Sequence, residues 1–236
     1  MVNRLRVAGG PWVSKLRLCK RDAHHYFHML KIGPKWAKYM AHPPNESSHG
    51  ILLYPCQRII PMGFTAAASW AQGIAEYVVA DADLPPDQRL IEGQPLLSIS
   101  RVWGSILDDV WCIASAPLKS DRVGEQLLEQ VERSWHDIGV EVNAKKNVDD
   151  AVLVEVQGAF VHGSELWCGV SQDKRLMLMQ AGVRLLSRPY MDVKTLECWV
   201  GKAGFVTMFR SPTRCILYHI YRWLDGLRRA DVKKSA

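Results

Sequence analysis

The sequence lacks the patterns that would place it in a membrane or in a secretory pathway. No window approaches the roughly 18 consecutive apolar residues that a membrane-spanning helix requires. The N-terminal segment MVNRLRVAGGPW has no apolar core of the kind found in secretory signals. We therefore expect a soluble intracellular protein, cytoplasmic or nuclear, without a membrane partner. Internal repeats and low-complexity segments are also missing, which excludes repeat arrays.

Paired cysteines are missing as well. The six cysteines are scattered, without a Cys-x-x-Cys pair or a repeating spacing, and this argues against a zinc ribbon or a disulfide framework. We expect them to be buried thiols. Three histidines near Asp22 resemble a metal cluster, namely His24, His25 and His28. No cysteine or further histidine converges on them, so a solvated or base-stacking face is the preferred interpretation.

The composition is sufficient for a folded core and is basic. The chain has 236 residues, of which 48% are hydrophobic and 23% charged, enough for one large domain or a domain with an appendage. The formal net charge is +6, and the pI is near 9.0. Much of the excess lies near the C-terminus, in RRADVKK and nearby arginines. This distribution favours a polyanionic partner.

Turn signals and apolar periodicity predict mixed strands and helices for about two thirds of the chain, and helices alone from Lys174 onward. The last helix should begin at the cap Ser211 with Pro212 in its first turn. The other predicted elements are strands at Val13–Cys19, Val152–Val156 and Ala159–Val161, a strand–turn–strand around residue 108, and helices at Thr65–Ala80 and in DRVGEQLLEQVERSWHDIG.

Two adjacent acids interrupt the apolar segment SRVWGSILDDVWCIAS, residues 100–115. Asp108 and Asp109 fall at the predicted turn, where aspartate is common and a wet hairpin tip would explain them. The flanks, however, are apolar and leave no polar loop. Close carboxylates repel each other unless a cation neutralises them. Magnesium is the natural cation, because it prefers oxygen ligands and is often held by one or two carboxylates.

A third acid ends another predicted strand. The alternating segment that starts at Val13 leads directly to Asp22. If this strand lies beside the hairpin, Asp22 joins Asp108 and Asp109. Three such carboxylates can hold two ions about 4 Å apart, the arrangement used in phosphoryl transfer.

Five motifs then occur in the order of the palm motifs of reverse transcriptases. They are Asp22 with Phe27 five residues later, IIPMGFTAAASWAQ, ILDDV, GVEVNAKK and EVQGAFVHG, spanning about residues 15–165. The tail segment TLECWVGKAGFVTMFRSPTRCILYHIYRWL resembles the segment after the palm in retrotransposon polymerases of the tyrosine-recombinase class. Ile106 departs from the family pattern, which usually has an aromatic residue two positions before the acid pair.

The resemblance implies an α/β (α+β) fold: a polymerase palm with an antiparallel sheet and packed helices, reduced fingers and a C-terminal helical thumb or connection. The implied domains are a tail at 1–12, a palm at 13–165 with a partial fingers insertion at about 33–60, and a thumb or connection with a basic tail at 166–236. About a dozen residues precede the first predicted palm strand, so we expect most of the fingers to be missing from this chain.

The resemblance also implies the catalytic residues. Asp22, Asp108 and Asp109 resemble the catalytic metal ligands, with two Mg²⁺ ions as cofactors and Mn²⁺ as the alternative. Gly158 resembles the glycine of the primer-grip hairpin. Nucleotide- or template-binding roles are implied for Ala23, Phe27, Met62, Gly63, Gln72 and Lys146.

Three of these roles depend on the size or the charge of the side chain. Phe27 resembles the aromatic gate that collides with a ribose 2′-hydroxyl and so implies preference for deoxynucleotides. Gly63 resembles the glycine of the turn that lets template or incoming nucleotide approach the backbone, where any side chain would obstruct it. Lys146 resembles the lysine near the triphosphate, with Lys145 as the adjacent alternative, and its charge would offset phosphate charge.

The implied activity is that of an RNA-directed DNA polymerase, a nucleotidyltransferase acting on an RNA or DNA template-primer with deoxynucleoside triphosphates. One alternative is a catalytically inactive nucleic-acid-binding remnant of a mobile element. Another is a different two-metal enzyme such as a nuclease, which explains the acids but neither the glycine turn nor the helix of Gln72.

Tryptophans and C-terminal arginines suggest further contacts with nucleic acid. Base stacking is one use of tryptophan, but Trp103, Trp111 and Trp199 are expected in the core. The arginines would either line a duplex groove, because phosphate neutralisation dominates affinity, or lie on a solvated helix face. They are Arg210, Arg214, Arg222, Arg228 and Arg229.

Overall fold

The structure is a computed structural model that describes residues 16–91, 94, 101–115, 122–190, 192–209 and 211–234, without the side chains of Val123, Ser211 and 228–234. The predicted tail at 1–12 and the start of the first predicted strand therefore lie outside the described residues. Arg210 lies outside them as well, as do the side chains of Arg228 and Arg229.

Nine strands and seven α-helices occur in the described part of the chain. The strands are β1 Leu16–Asp22, β2 Asn45–Glu46, β3 Leu52–Leu53, β4 Arg101–Ile106, β5 Asp109–Ser115, β6 Val148–Ala151, β7 Leu153–Val156, β8 Ala159–His162 and β9 Trp167–Gly169. The helices are α1 Tyr26–Met29, α2 Pro34–Ala37, α3 Ala67–Asp81, α4 Val123–Asp137, α5 Gln172–Leu186, α6 Val193–Thr207 and α7 Tyr218–Lys234. Short 3₁₀ helices occupy Lys38–Met40, Pro86–Gln88 and Ser211–Leu217.

The central sheet is antiparallel, with the strand order β4-β5-β1-β6. Strand β1 pairs with β5 in a continuous register from Leu16 opposite Ser115 to Asp22 opposite Asp109. Strands β4 and β5 form the predicted hairpin around the acid pair. The predicted mixed α/β fold with an antiparallel sheet is thus confirmed.

Helices α3 and α4 cover one face of this sheet. Alternate strand residues, among them Cys19 and Cys112, point to the helices, because successive side chains in a strand face opposite sides. Leu128 and Trp135 of α4 are fully buried there. The apolar residues whose spacing predicted this helix are therefore those that α4 buries in the core.

The opposite face of the sheet is also tightly packed at its centre. Gly104 lies opposite Trp111 in the β4–β5 register. A Cβ atom at Gly104 would lie 2.3 Å from Cζ2 of Trp111, so the indole ring occupies the space of the missing side chain. Trp111 and Trp103 are both buried, as predicted, and Trp199 is half-buried against a second core.

A buried arginine joins the sheet to α4. Arg21 is only 4% exposed, and its guanidinium forms ion pairs with Glu132 of α4 and with Asp149 of β6. The same group donates hydrogen bonds to the carbonyls of Lys20 and Val148 at 3.0 and 3.2 Å. A buried charge is tolerated only when it is paired in this way.

The chain divides into two units. Unit 1 comprises Met1–Val156 and His162–Leu166, and unit 2 comprises Gln157–Val161 and Trp167–Ala236. In unit 2, α5 and α6 pack together, and Trp199 Nε1 donates a hydrogen bond to the Leu178 carbonyl at 3.0 Å. Ser171 and Asp192 cap the two helices through their side chains.

Three sequence-based expectations were wrong in detail. The last helix begins as a 3₁₀ helix, and its α-helical part starts only at Tyr218. Strand β6, with the sequence VDDA, was not predicted, because two acids conceal its pairing with β1. Only Cys19 and Cys112 are fully buried, whereas Cys56, Cys198 and Cys215 are exposed and Cys168 is intermediate.

Candidate active site

The β4–β5 turn places the two adjacent acids at one edge of the central sheet. Strand β4 ends at Ile106 and β5 begins at Asp109, so the connection has two residues. The first of them, Leu107, has a φ of 53°. Hairpins of this length usually place glycine or asparagine at positive φ, because a side chain there costs energy. Such local strain is typical of functional turns.

The third acid lies directly beside this turn. Asp22, the last residue of β1, is the register partner of Asp109 and is 4% exposed. The backbone N–H of Ala23 donates a hydrogen bond to the Asp108 carbonyl at 2.8 Å. The Asp22 carbonyl in turn accepts from the N–H of Asn143 at 2.8 Å. Two strands and the 141–146 segment therefore fix the backbone around all three acids.

Burial and neighbouring acids raise the pKa of Asp109 to about 6. Desolvation is the largest cause, and a hydrogen bond with the Asp22 carboxyl and the charge of Asp108 act in the same direction. Lys20 acts in the opposite direction. A nearby cation would stabilise the ionised form of this carboxyl, which burial and the other acids disfavour.

Two lysines supply positive charge to the acids. Lys146 Nζ lies 3.0 Å from both carboxylate oxygens of Asp22, and this contact raises the pKa of Lys146. Lys20 Nζ lies 2.9 Å from Oδ1 of Asp109. Oδ1 is buried, and its contact with Lys20 is an ion pair.

The donor chemistry of the acids fits a divalent cation. Asp22 and Asp109 are register partners at one edge of the sheet, and oxygen ligands of this kind are those that Mg²⁺ prefers. Across the described ranges, however, no group of three or more His, Cys, Asp or Glu side chains is arranged to hold a metal ion. Such an edge matches sites in which one or two carboxylates act together with substrate phosphates.

Gln72 of α3 contacts the acid-bearing turn. Its Oε1 accepts a hydrogen bond from the backbone N–H of Leu107 at 2.8 Å. Its Nε2 donates to Oε1 of Glu76 at 2.7 Å. The residue predicted to bind nucleotide or template is therefore bonded to protein groups at both ends of its amide.

Phe27 lies in the short helix α1, four residues beyond Ala23. Its ring is half-buried, packs against the core of unit 1 and meets Tyr26 at a ring separation of 6.1 Å. Tyr26 anchors the helix, since its hydroxyl donates a hydrogen bond to the Ala71 carbonyl of α3 at 2.8 Å. The buried Tyr26 thus fixes where the neighbouring ring of Phe27 lies.

The histidines of this region do not form a metal cluster with the acids in the described structure. The rings of His24 and His25 lie 4.0 Å apart, and those of His25 and His28 lie 5.9 Å apart. His25 and His28 are exposed. A solvated or base-stacking role for these histidines stays a prediction.

The glycine turn predicted near the template is open. Met62 is 73% exposed, and Gly63 has a φ of 95° with no atom within 4 Å of an added Cβ. Only the backbone conformation, and no neighbour among the described residues, therefore favours glycine there.

The predicted primer-grip glycine belongs to unit 2. Gln157 and Gly158 connect β7 to β8 with φ values of 52° and 80°, as in a type I′ hairpin turn. Lys174 Nζ donates a hydrogen bond to the Gly158 carbonyl at 3.3 Å.

Unit 2 contains a basic cavity that the sequence analysis missed. Its volume is about 900 Å³, and apolar side chains of α5 and α6 such as Trp199 and Phe205 line it. The charged residues that line it are all cations, and they are Lys174, Arg184, Arg188 and Lys202. Lys174 and Arg184 lie on α5, Arg188 follows the end of α5, and Lys202 lies on α6, so only packing brings them together. The predicted groove residues Arg214 and Arg222 are exposed.

Lys20 is the other residue that the sequence analysis missed. It lies two residues before Asp22 and therefore on the same face of β1. That spacing was the available signal, because a lysine pointing in the same direction as the acid reaches the same edge.

No protein-family model matches the chain, and no curated protein matches it significantly. Several solved structures, in contrast, have a fold similar to that of this chain. The foamy viral protease-reverse transcriptase dRH in complex with double-stranded DNA aligns with a TM-score of 0.55 and 14% identity over 91% of this chain and 32% of that chain. The foamy viral protease-reverse transcriptase with an RNA/DNA hybrid gives 0.54 and 14% over 93% and 28%.

These similarities define the class of fold. The chain has a reverse-transcriptase-type polymerase fold, and the predicted fold class is confirmed. It spans about a third of the length of the foamy viral chains that it resembles. Within the described residues, no helix has the length and apolar character needed to cross a membrane.

Proposed function

We propose that the chain is the reverse transcriptase domain of a retroelement of the tyrosine-recombinase class, and that it synthesises DNA on a template by two-metal nucleotidyl transfer. The observation that carries the proposal is the pairing of Asp22 with Asp109, beside Asp108, at one edge of the sheet of a polymerase fold. The ordered sequence motifs support the retroelement type. The partners would be an RNA or DNA template-primer and deoxynucleoside triphosphates.

In this proposal Asp22, Asp108 and Asp109 hold two Mg²⁺ or Mn²⁺ ions. When bound, such ions activate an attacking oxygen and stabilise a leaving one. Lys146 has a side chain that is 57% exposed, so its ammonium group can turn from Asp22 to the triphosphate of an incoming nucleotide. The displaced positive charge then offsets phosphate charge.

The remaining residues would select and align the substrates. Phe27 is held by the buried Tyr26 and would exclude a ribose 2′-hydroxyl. The open backbone at Met62 and Gly63 would admit the template, and Gly158 would contact the primer. The cations of the unit 2 cavity would neutralise phosphates, as expected of a surface that binds nucleic acid. The solved structures of similar fold contain double-stranded DNA and an RNA/DNA hybrid.

Primer extension tests the proposal. Wild-type chain, a labelled DNA primer on RNA and DNA templates, the four deoxynucleotides and Mg²⁺ should give products that disappear with EDTA and in Asp108→Asn. Asp137→Asn changes an exposed acid at the end of α4 and is the matched control, which should extend normally. Unchanged extension by Asp108→Asn would contradict the mechanism.

One observation favours the second candidate, a catalytically inactive nucleic-acid-binding remnant. Lys20 and Lys146 form ion pairs with Asp109 and Asp22, so side chains of the protein itself supply positive charge to these carboxylates. Tight binding of a template-primer without any extension, in Mg²⁺ and in Mn²⁺, would favour this candidate over the polymerase.

A further inference from the structure

We propose that Gln72 is a positioning residue that holds the acid-bearing turn in place, as the last member of a hydrogen-bonded chain from Arg89 through Glu76. The proposal rests on the proposed function for its catalytic consequence, although the structural role can be tested without it. It also replaces direct nucleotide binding as the role of Gln72.

The turn needs such support because its backbone is strained. Leu107 adopts a φ of 53°, which a non-glycine residue adopts only at a cost. The two residues that follow it are Asp108 and Asp109, so any relaxation of the turn moves both carboxyls. Oε1 of Gln72 accepts a hydrogen bond from the backbone N–H of Leu107 at 2.8 Å.

Gln72 is itself held in one orientation. A glutamine amide can rotate by 180° and exchange its donor and acceptor. Here Glu76 accepts a hydrogen bond from Nε2 at 2.7 Å, which leaves Oε1 for the turn. Because a carboxylate cannot donate, only this orientation satisfies both contacts.

Arg89 fixes the carboxylate in its turn. Its guanidinium pairs with Oε1 of Glu76, the atom that Gln72 contacts. The Arg89 side chain also lies over the Trp103 ring at 5.4 Å, and the N–H of Leu90 bonds to the Trp103 carbonyl at 2.8 Å. This series of contacts starts at Trp103 of β4, passes through the side chains of Arg89, Glu76 and Gln72, and ends at the turn that follows β4.

A pair of exchanges tests this role. Gln72→Leu removes both hydrogen bonds, and Gln72→Glu places two carboxylates against each other. The double variant Gln72→Glu with Glu76→Gln restores one donor and one acceptor between the positions, keeps an acceptor for the Leu107 N–H and keeps an acceptor for Arg89. The single variants should therefore fail where the double variant recovers. Gln130→Leu, at an exposed position of α4, is the control.

The first readout is amide hydrogen exchange of the segment 104–111 without substrate. Loss of the hydrogen bond to the Leu107 N–H should speed exchange of the turn roughly tenfold in Gln72→Leu. In Gln72→Glu the repulsion between the two carboxylates should displace the acceptor from the turn and speed exchange as well. The double variant and Gln130→Leu should exchange as the wild type does. Unchanged exchange in Gln72→Leu, or no recovery in a double variant of normal melting temperature, would overturn the proposal.

The second readout is primer-extension kinetics. A positioning role predicts a lower kcat in the single variants, an unchanged KM for the deoxynucleotide and recovery in the double variant. A raised KM with an unchanged kcat would instead assign Gln72 to nucleotide binding and overturn the proposal. If the wild type does not extend primers, the proposed function fails, and hydrogen exchange alone decides the role of Gln72.

Discussion

At the scale of single residues, Asp109 combines burial with a charge that its surroundings disfavour. Its pKa is raised from 3.8 to about 6, chiefly by desolvation. The folded protein therefore binds this proton more tightly than the unfolded chain does. It follows that the stability contributed by Asp109 is fully present below pH about 3.8 and is lost as the pH rises through about 6.

This linkage predicts the pH dependence of Asp109→Asn. Between pH 4 and pH 7, without metal, the unfolding free energy of the wild type should fall relative to that of the variant, which cannot titrate at this position. Urea unfolding at several pH values measures the difference. A constant difference across this window would show that Asp109 titrates normally in the folded state.

The three acids were predictable from the sequence for physical reasons. Asp108 and Asp109 stand in an apolar segment, where a charge is conspicuous, and Asp22 ends an alternating strand. Asp22 was predicted to join the acid pair if its strand lies beside the hairpin, and the β1–β5 pairing meets this condition. The spacing of Lys20 from Asp22 indicates that both lie on one face of β1. The ion pair of Lys20 with Asp109 and the hydrogen bond of Gln72 to the turn were not predictable, because they depend on how β1, β5 and α3 pack.

At the scale of elements, the β4–β5 hairpin contains a close contact between a glycine and an indole ring. The ring of Trp111 lies where a side chain of Gly104 would be. Sequence alternation identified both strands but not this contact, because the pairing register decides which residue faces the ring.

Gly104→Ala should therefore destabilise the protein. The added methyl would force Trp111 from its position at a cost of about 2 kcal/mol, a usual value for overpacking. Urea unfolding measures the change. The control is Gly73→Ala, at an exposed site of α3 with no neighbour within 4 Å, which should stabilise by about 0.5–1 kcal/mol. A neutral Gly104→Ala would mean that the ring does not need this space.

Elements with weak sequence signals were the ones missed. Pro212 fits the first turn of an α-helix, but it fits a 3₁₀ helix equally well, since neither needs its missing N–H. Strand β6 carries two acids that the sequence analysis assigned to no strand. One of them, Asp149, pairs with the buried Arg21, a partner that lies 128 residues away.

At the scale of the whole molecule, the two units carry charges of opposite sign, and we propose that both act on a nucleic-acid partner. Unit 1 presents carboxylates suited to metal and phosphate chemistry, and unit 2 lines a cavity with cations. Each unit has its own core. The sequence indicated the basic character of the C-terminal part but not which cations converge.

The cations of the cavity should contribute to affinity without base specificity. Arg184→Gln combined with Lys202→Gln should weaken binding of a DNA duplex and reduce the slope of log K against log salt by about 2, since each phosphate contact contributes about 0.9. Fluorescence anisotropy at several salt concentrations measures this. Arg133→Gln, exposed on α4 of unit 1, is the control and should leave the slope unchanged. If Arg133→Gln reduced the slope as much per cation as the cavity variant does, the cavity would have no special role and only the net charge of the protein would matter.

The central claim is that Asp22 and the acid pair of the β4–β5 turn form one catalytic site. Single-nucleotide incorporation in Mg²⁺ by the wild type and by Asp22→Asn tests it most directly, because Asp22 lies 86 residues before Asp108 in the sequence and joins the acid pair only through the β1–β5 pairing. We expect incorporation by the wild type and none above background by a folded Asp22→Asn. Incorporation by Asp22→Asn at the wild-type rate would contradict it.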